Sequence, residues 1–156
     1  MKFSVPSRRK SALIALVAAA APIAVFASAE ASSSNWGCTV HPEAPVFDHI
    51  NPANGDKVIR YDMTVTCSAG RTIYLNQHIH EEDSPTKSKH QVENDYERYF
   101  ASSGTVTMGW LLTLRQDDIS GAEEQFHKVS FQVETDNQAT SDWTSYDKSV
   151  VQQFSN

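Results

Sequence analysis

His78 and His80 are the residues of this chain best placed to do chemistry. They stand two apart in a stretch where Ile73, Leu75 and Ile79 alternate with Thr72, Tyr74, Asn76, His78 and His80. Residues two apart on a β-strand project from the same face, so the two imidazoles would be offered side by side to one cation. Glu81, Glu82 and Asp83 follow directly, and Glu81, Asp83 or the more distant His90 could supply a third ligand. Imidazole nitrogen mixed with carboxylate oxygen suits zinc or copper. The plainer alternative is a solvated strand face that runs into an acidic loop, because His-x-His by itself fixes no third donor. No other cofactor is indicated.

The remaining candidates carry less. His41 and His49 sit beside Pro42 and the Asn51-Pro52 pair, in a connection between strands. His127 falls on the inner register of its own strand and reads as a buried structural histidine. Asp117-Asp118 and Glu123-Glu124 lack the ligand spacing of a calcium loop. Ser84-Pro85-Thr86-Lys87 matches Ser-x-x-Lys in form, but its proline-bearing context is not the start of a core helix, and the companion Ser-Asp-Asn and Lys-Thr-Gly motifs are absent. There is no Gly-x-Ser-x-Gly elbow and no Cys-x-x-Cys pair. The expectation is therefore of a protein that is not an enzyme.

What positions these residues begins with the N-terminus. Ser7-Arg8-Arg9-Lys10, an apolar run from Ala12 to Ala27, and small residues at Ala27 and Ala29 have the form of an export signal cleaved between Ala29 and Glu30. The run is shorter than the roughly 20 residues a membrane span needs, and Pro22 interrupts it. The expected compartment is secreted, extracellular or cell envelope, with no stable membrane anchor after cleavage. The full chain carries 13 Lys and Arg against 19 Asp and Glu, a net charge of -6. Lys2, Arg8, Arg9 and Lys10 leave with the signal, so nine basic residues face the same 19 acidic ones and the net charge becomes -10. Such an acidic domain repels phosphate backbones and anionic lipid, which argues against a nucleic-acid partner.

Export also decides the two cysteines. In an oxidising compartment Cys38 and Cys67 are expected to form one bridge. Closing a loop of about 30 residues would stabilise the fold by roughly 3.5 kcal/mol on the chain-entropy estimate. Trp36, Cys38 and Val40 alternate with Gly37 and Thr39; Ile59, Tyr61, Met63, Val65 and Cys67 alternate with polar neighbours, so both cysteines face inward. Ser68-Ala69-Gly70 is a turn signal, and the flanking strands read as a hairpin. Glu81 to Arg98 reads as a long polar loop. Val106, Met108, Trp110, Leu112 and Leu114 form a strand pattern, as do Val129, Phe131 and Val133. Near the C-terminus Val150, Gln152 and Phe154 fit a strand, while Trp143, Tyr146, Val150 and Phe154 fit a helix; the β-branched run favours the strand.

These patterns predict an all-β protein: a small antiparallel β-sandwich, loosely immunoglobulin-like, with one disulfide, after a cleavable signal peptide. The expected organisation is a signal over 1–29, a disordered leader over 30–35 and one domain over 36–156. The expected function is a non-catalytic extracellular binding or interaction module for a protein or glycan partner, using the Glu81 to Arg98 segment. The alternative is a secreted zinc- or copper-binding protein using His78 and His80.

Overall fold

Period-two alternation of apolar residues dominates the computed structural model, which describes residues 32–84, 87–114 and 122–155. Among these there are ten strands and no helix: β1 (Ser33–Asn35), β2 (Cys38–Pro42), β3 (Val46–Ile50), β4 (Lys57–Cys67), β5 (Arg71–Ser84), β6 (Lys87–Phe100), β7 (Gly104–Thr113), β8 (Ala122–Thr135), β9 (Asp147–Lys148) and β10 (Gln152–Ser155). The expected export signal, its Ala29–Glu30 cleavage site and the Asp117-Asp118 pair lie outside the described residues.

The strands form two antiparallel sheets. In the first, β4 is central: β7 pairs along one side of it, and β2 and β3 share the other, with β1 beyond β2. In the second, β5 lies between β6 and β8, and β9 and β10 pair the far side of β8. The inner faces meet in two hydrophobic clusters. Cys38, Val40, Met63, Val65 and Cys67 of the first sheet pack against Ile73, Leu75, Phe100, Val129, Phe131 and Val133 of the second. A second cluster joins Ile59 and Tyr61 to Ile79, Leu114 and Phe154. Cys38 and Cys67 are bridged and buried at directly opposed positions of β2 and β4, as their parity requires.

A buried polar layer crosses the core. The Tyr96 hydroxyl donates to Gln77 Oε1 at 2.7 Å, and Gln77 Nε2 donates to the Tyr61 carbonyl at 3.0 Å and to His127 Nδ1 at 2.7 Å. His127 Nε2 in turn lies 2.7 Å from the Glu43 carbonyl, which can only accept, so the ring carries its proton on Nε2. His127 is thus the structural histidine its register implied. Burial pushes its pKa down to about 4, against a smaller upward pull from Glu43, and keeps it neutral.

Three expectations are corrected. First, β4 and β5 are not a hairpin: Gly70, at φ +68°, turns the chain from one sheet into the other, and β5 pairs β6 and β8 instead. Second, Glu81 to Arg98 is not a loop but the end of β5 and most of β6, a charged edge strand that alternates Val92, Asn94 and Tyr96 inward with Glu93, Asp95 and Glu97 outward. Charged side chains are a usual way to guard a sheet edge. Third, Ser33–Asn35 of the expected leader pair with β2 across a two-residue turn, Trp36-Gly37. Both turn residues have positive φ, +41° and +82°, as the tight hairpin turn that matches strand twist demands. The Val106 to Leu112 pattern forms β7, in which Trp110 is 45 % exposed, since β7 is the outer strand of its sheet. At the C-terminus, 152–155 form a strand, and Trp143 and Tyr146 belong to no helix.

Candidate metal centre

Strand parity places His78 and His80 on the outer face of β5, with Lys128 and Phe126 of β8 on one side and Glu93 and His90 of β6 on the other. His78 stands opposite Glu93, and Ile79 opposite Val92. The regular register would then set His80 against Gln91 and turn His90 inward. Instead the register slips by one residue, so that Gln91 is left unpaired and His90 stands opposite His80. This β-bulge moves His90 to the outer face. Gln91 points the other way and donates from Nε2 to Glu81 Oε2 at 3.1 Å.

The result is a cluster drawn from two strands. One donor atom each of His78, His90 and Glu93 lie within 4.8 Å of one another. His78 Nε2 is 3.4 Å from Glu93 Oε1, and the His78 and His90 ring centroids are 4.9 Å apart. Zinc held at about 2.0–2.2 Å needs its donors roughly 3.4 Å apart in a tetrahedral shell. The trio therefore closes with small side-chain movements, which the exposure of His90 and Glu93 permits.

The surroundings prepare these donors. Asn76 Nδ2 donates to Glu93 Oε1 at 2.7 Å and to Asp95 Oδ1 at 2.9 Å. Together with His78, that amide holds the Glu93 carboxyl below the usual carboxylate range, leaving it anionic. Tyr146 Oη sits 3.2 Å from His78 Nε2, hydrogen-bonds Asn76 Oδ1, and its ring lies against the His78 imidazole. His80 stacks on Phe126 with ring centroids 5.0 Å apart and lies 5.3 Å from the His90 ring. Its two ring nitrogens are screened from solvent and have no hydrogen-bond partner. Burial first, then the charges of Lys128 and of the neighbouring groups, pushes its pKa down to about 4, so its imidazole is neutral. A neutral imidazole without partners, one ring away from the trio, is a fourth donor in reserve.

Of the other expected ligands, Glu81 does not join. Glu81 faces the core and is 4 % exposed. Glu82 pairs with Lys148 at 3.1 Å, and the Asp83 side chain is outside the described residues. Tyr74 shares the face but reaches away from the cluster, donating to Glu134 Oε2 at 2.8 Å. His49 lies against Asp48 at 2.7 Å, and His41 is 3.8 Å from Glu43. Sequence reasoning found His78, His80 and His90 but missed Glu93. The alternation of Val92 and Tyr96 was the available signal that β6 is a strand with Glu93 outward. No protein-family model, curated protein or solved structure matches the chain, which leaves the arrangement of these side chains as the ground for a functional reading.

Proposed function

We propose that this protein is an exported metal-binding β-domain that takes zinc or copper at His78, His90 and Glu93, with His80 available as a further ligand. The observation that carries the reading is the convergence of three donors from two adjacent strands within 4.8 Å. One of the three, His90, reaches that face only through the bulge at Gln91. Export is supported by the basic and apolar N-terminal sequence and by the Cys38–Cys67 bridge, which is consistent with an oxidising, extracellular location. The fold is best described as a small sandwich, immunoglobulin-like only in a loose sense, since the bridge joins neighbouring strands of one sheet.

This reading takes precedence over a general extracellular interaction module, whose expected contact loop is a paired hairpin. Calorimetric titration with zinc and with copper tests it. The expected result is one saturable site that is lost in the His78→Ala, His90→Ala double variant and weakened in Glu93→Gln. Affinity unchanged in the double variant would sink the proposal.

A further inference from the structure

We infer that the groove beside the histidine cluster is a second binding site, for a linear polyamine. Two adjoining cavities, of about 610 and 370 Å³, share Asp95 and Trp143 on the outer face of the second sheet. Each is in the size range of small-ligand sites, roughly 300–1,000 Å³. Along the β6 wall Glu93, Asp95 and Glu97 all project outward, and Glu134 of β8 lines the far end. Two-residue steps on a strand space these carboxylates by about 6.6 Å. Ammonium groups separated by four methylenes have nearly the same spacing, and those separated by three a shorter one that flexible carboxylate side chains can follow. Among the described residues neither cavity is lined by a Lys, Arg or His side chain; Glu93 has His78 beside it at 3.4 Å, and Asp95 and Glu134 have only the neutral donors Asn76 and Tyr74, so the row keeps its negative charge.

A second, independent observation concerns the opposite wall. Trp143 and Tyr146 are 49 % and 45 % exposed, yet their segment is pinned. Ser141 N donates to the Val133 carbonyl at 2.8 Å, Thr144 N to the Phe131 carbonyl at 2.9 Å, and Asn35 Nδ2 to Ser141 Oγ at 2.8 Å and to the Asp142 carbonyl at 3.0 Å. A large indole held fixed against a cavity, with half its surface left in water, is a platform without its cover. Aromatic faces attract ammonium groups and cover methylenes. Carboxylates on one wall and aromatic rings on the other together select a flexible chain of alternating positive charge and hydrocarbon. A neutral sugar would stack on the indole but leave the carboxylates without counter-charge.

The site neighbours the metal centre through Glu93 but does not depend on it. The test is calorimetric titration with spermidine at low ionic strength, with a chelator present to remove metal. The expected result is saturable binding that weakens at least about tenfold in Trp143→Ala and in the Asp95→Asn, Glu97→Gln double variant. It persists in His78→Ala, His90→Ala, which removes the metal reading alone, and declines as salt is added. Absence of saturable binding to the wild-type protein overturns the inference. So does equal affinity in the groove variants, loss of binding in the histidine double variant, or binding of trilysine or cellohexaose with spermidine refused.

Discussion

Acidification should destabilise this fold through His127, and the size of the effect follows from where its ring sits. The imidazole is inaccessible to solvent, accepts from Gln77 Nε2 at Nδ1 and reaches the Glu43 carbonyl through Nε2. Protonating Nδ1 would set one donor against another. Gln77 has little freedom to turn its amide, because Tyr96 donates to its oxygen while its nitrogen also serves the Tyr61 carbonyl. The folded-state pKa is accordingly lowered from 6.5 to about 4, chiefly by burial. Between those values the unfolded chain binds the proton and the folded one does not. Stability is then fully present above about pH 6.5 and falls as pH drops toward 4. At about 1.4 kcal/mol per pH unit, roughly 3 kcal/mol is lost across the window, a large share of the 5–15 kcal/mol typical of a domain.

The perturbation is His127→Gln, which removes the titrating group. Guanidinium unfolding at steps from about pH 7.5 to 4.5, with chelator present and the disulfide intact, gives the two profiles. Other groups, the depressed Glu93 among them, tilt both profiles alike, so the difference between them isolates His127. The wild-type curve should fall more steeply by about 1.4 kcal/mol per unit below pH 6.5. Ring NMR should show a neutral Nε2–H tautomer with no titration above pH 5. Parallel profiles, or a folded-state His127 that titrates near 6.5, would refute the reasoning.

Replacing Cys38 and Cys67 together by Ala should cost about 3.5 kcal/mol, read as a lower denaturation midpoint, since the bridge closes a separation of 29 residues. Gly109→Ala should cost about 1–3 kcal/mol, because a Cβ there would stand 2.6 Å from the Tyr61 carbonyl oxygen and 2.5 Å from Asp62 Oδ1. Gly104→Ala, with only one atom at 4.0 Å, should change the thermal midpoint little, and equal effects from the two would count against the β4–β7 register. Deleting Gln91 should remove the bulge while leaving His90 opposite His80. Zinc affinity should then stay within about threefold, whereas the loss of the bond to Glu81 lowers stability; abolished zinc binding would show that the bulge itself shapes the site.

Parity made one half of the site legible. A strand with Ile73, Leu75 and Ile79 inward has to carry His78 and His80 outward, whichever sheet it joins. The same rule placed both cysteines on the core face and His127 among buried neighbours. Parity is a local property, however, and it says nothing about which strand lies alongside. The turn at Ser68-Ala69-Gly70 looked like a hairpin because a hairpin and a crossing between sheets use the same turn residues. The difference lies in the strands alongside: β4 pairs β2, β3 and β7, and β5 pairs β6 and β8.

The other half of the site was hidden by two features that work together. An edge strand satisfies only one side of its backbone and is protected by charge, so β6 has the composition of a loop even though it is paired over almost its full length. Within it His90 and Glu93 are three apart, a spacing that puts side chains on opposite faces of any regular strand. The slip at Gln91 adds the one residue that reverses this. Gln91 turns inward to meet Glu81, a carboxylate that the inward parity of β5 has already buried and that needs a donor. The slip that brings Gln91 to Glu81 also leaves His90 on the outer face with Glu93, the two side chains that β6 contributes to the candidate metal centre. The placement of His90 beside His78 thus goes together with an inward hydrogen bond of Gln91 and a single extra residue in β6.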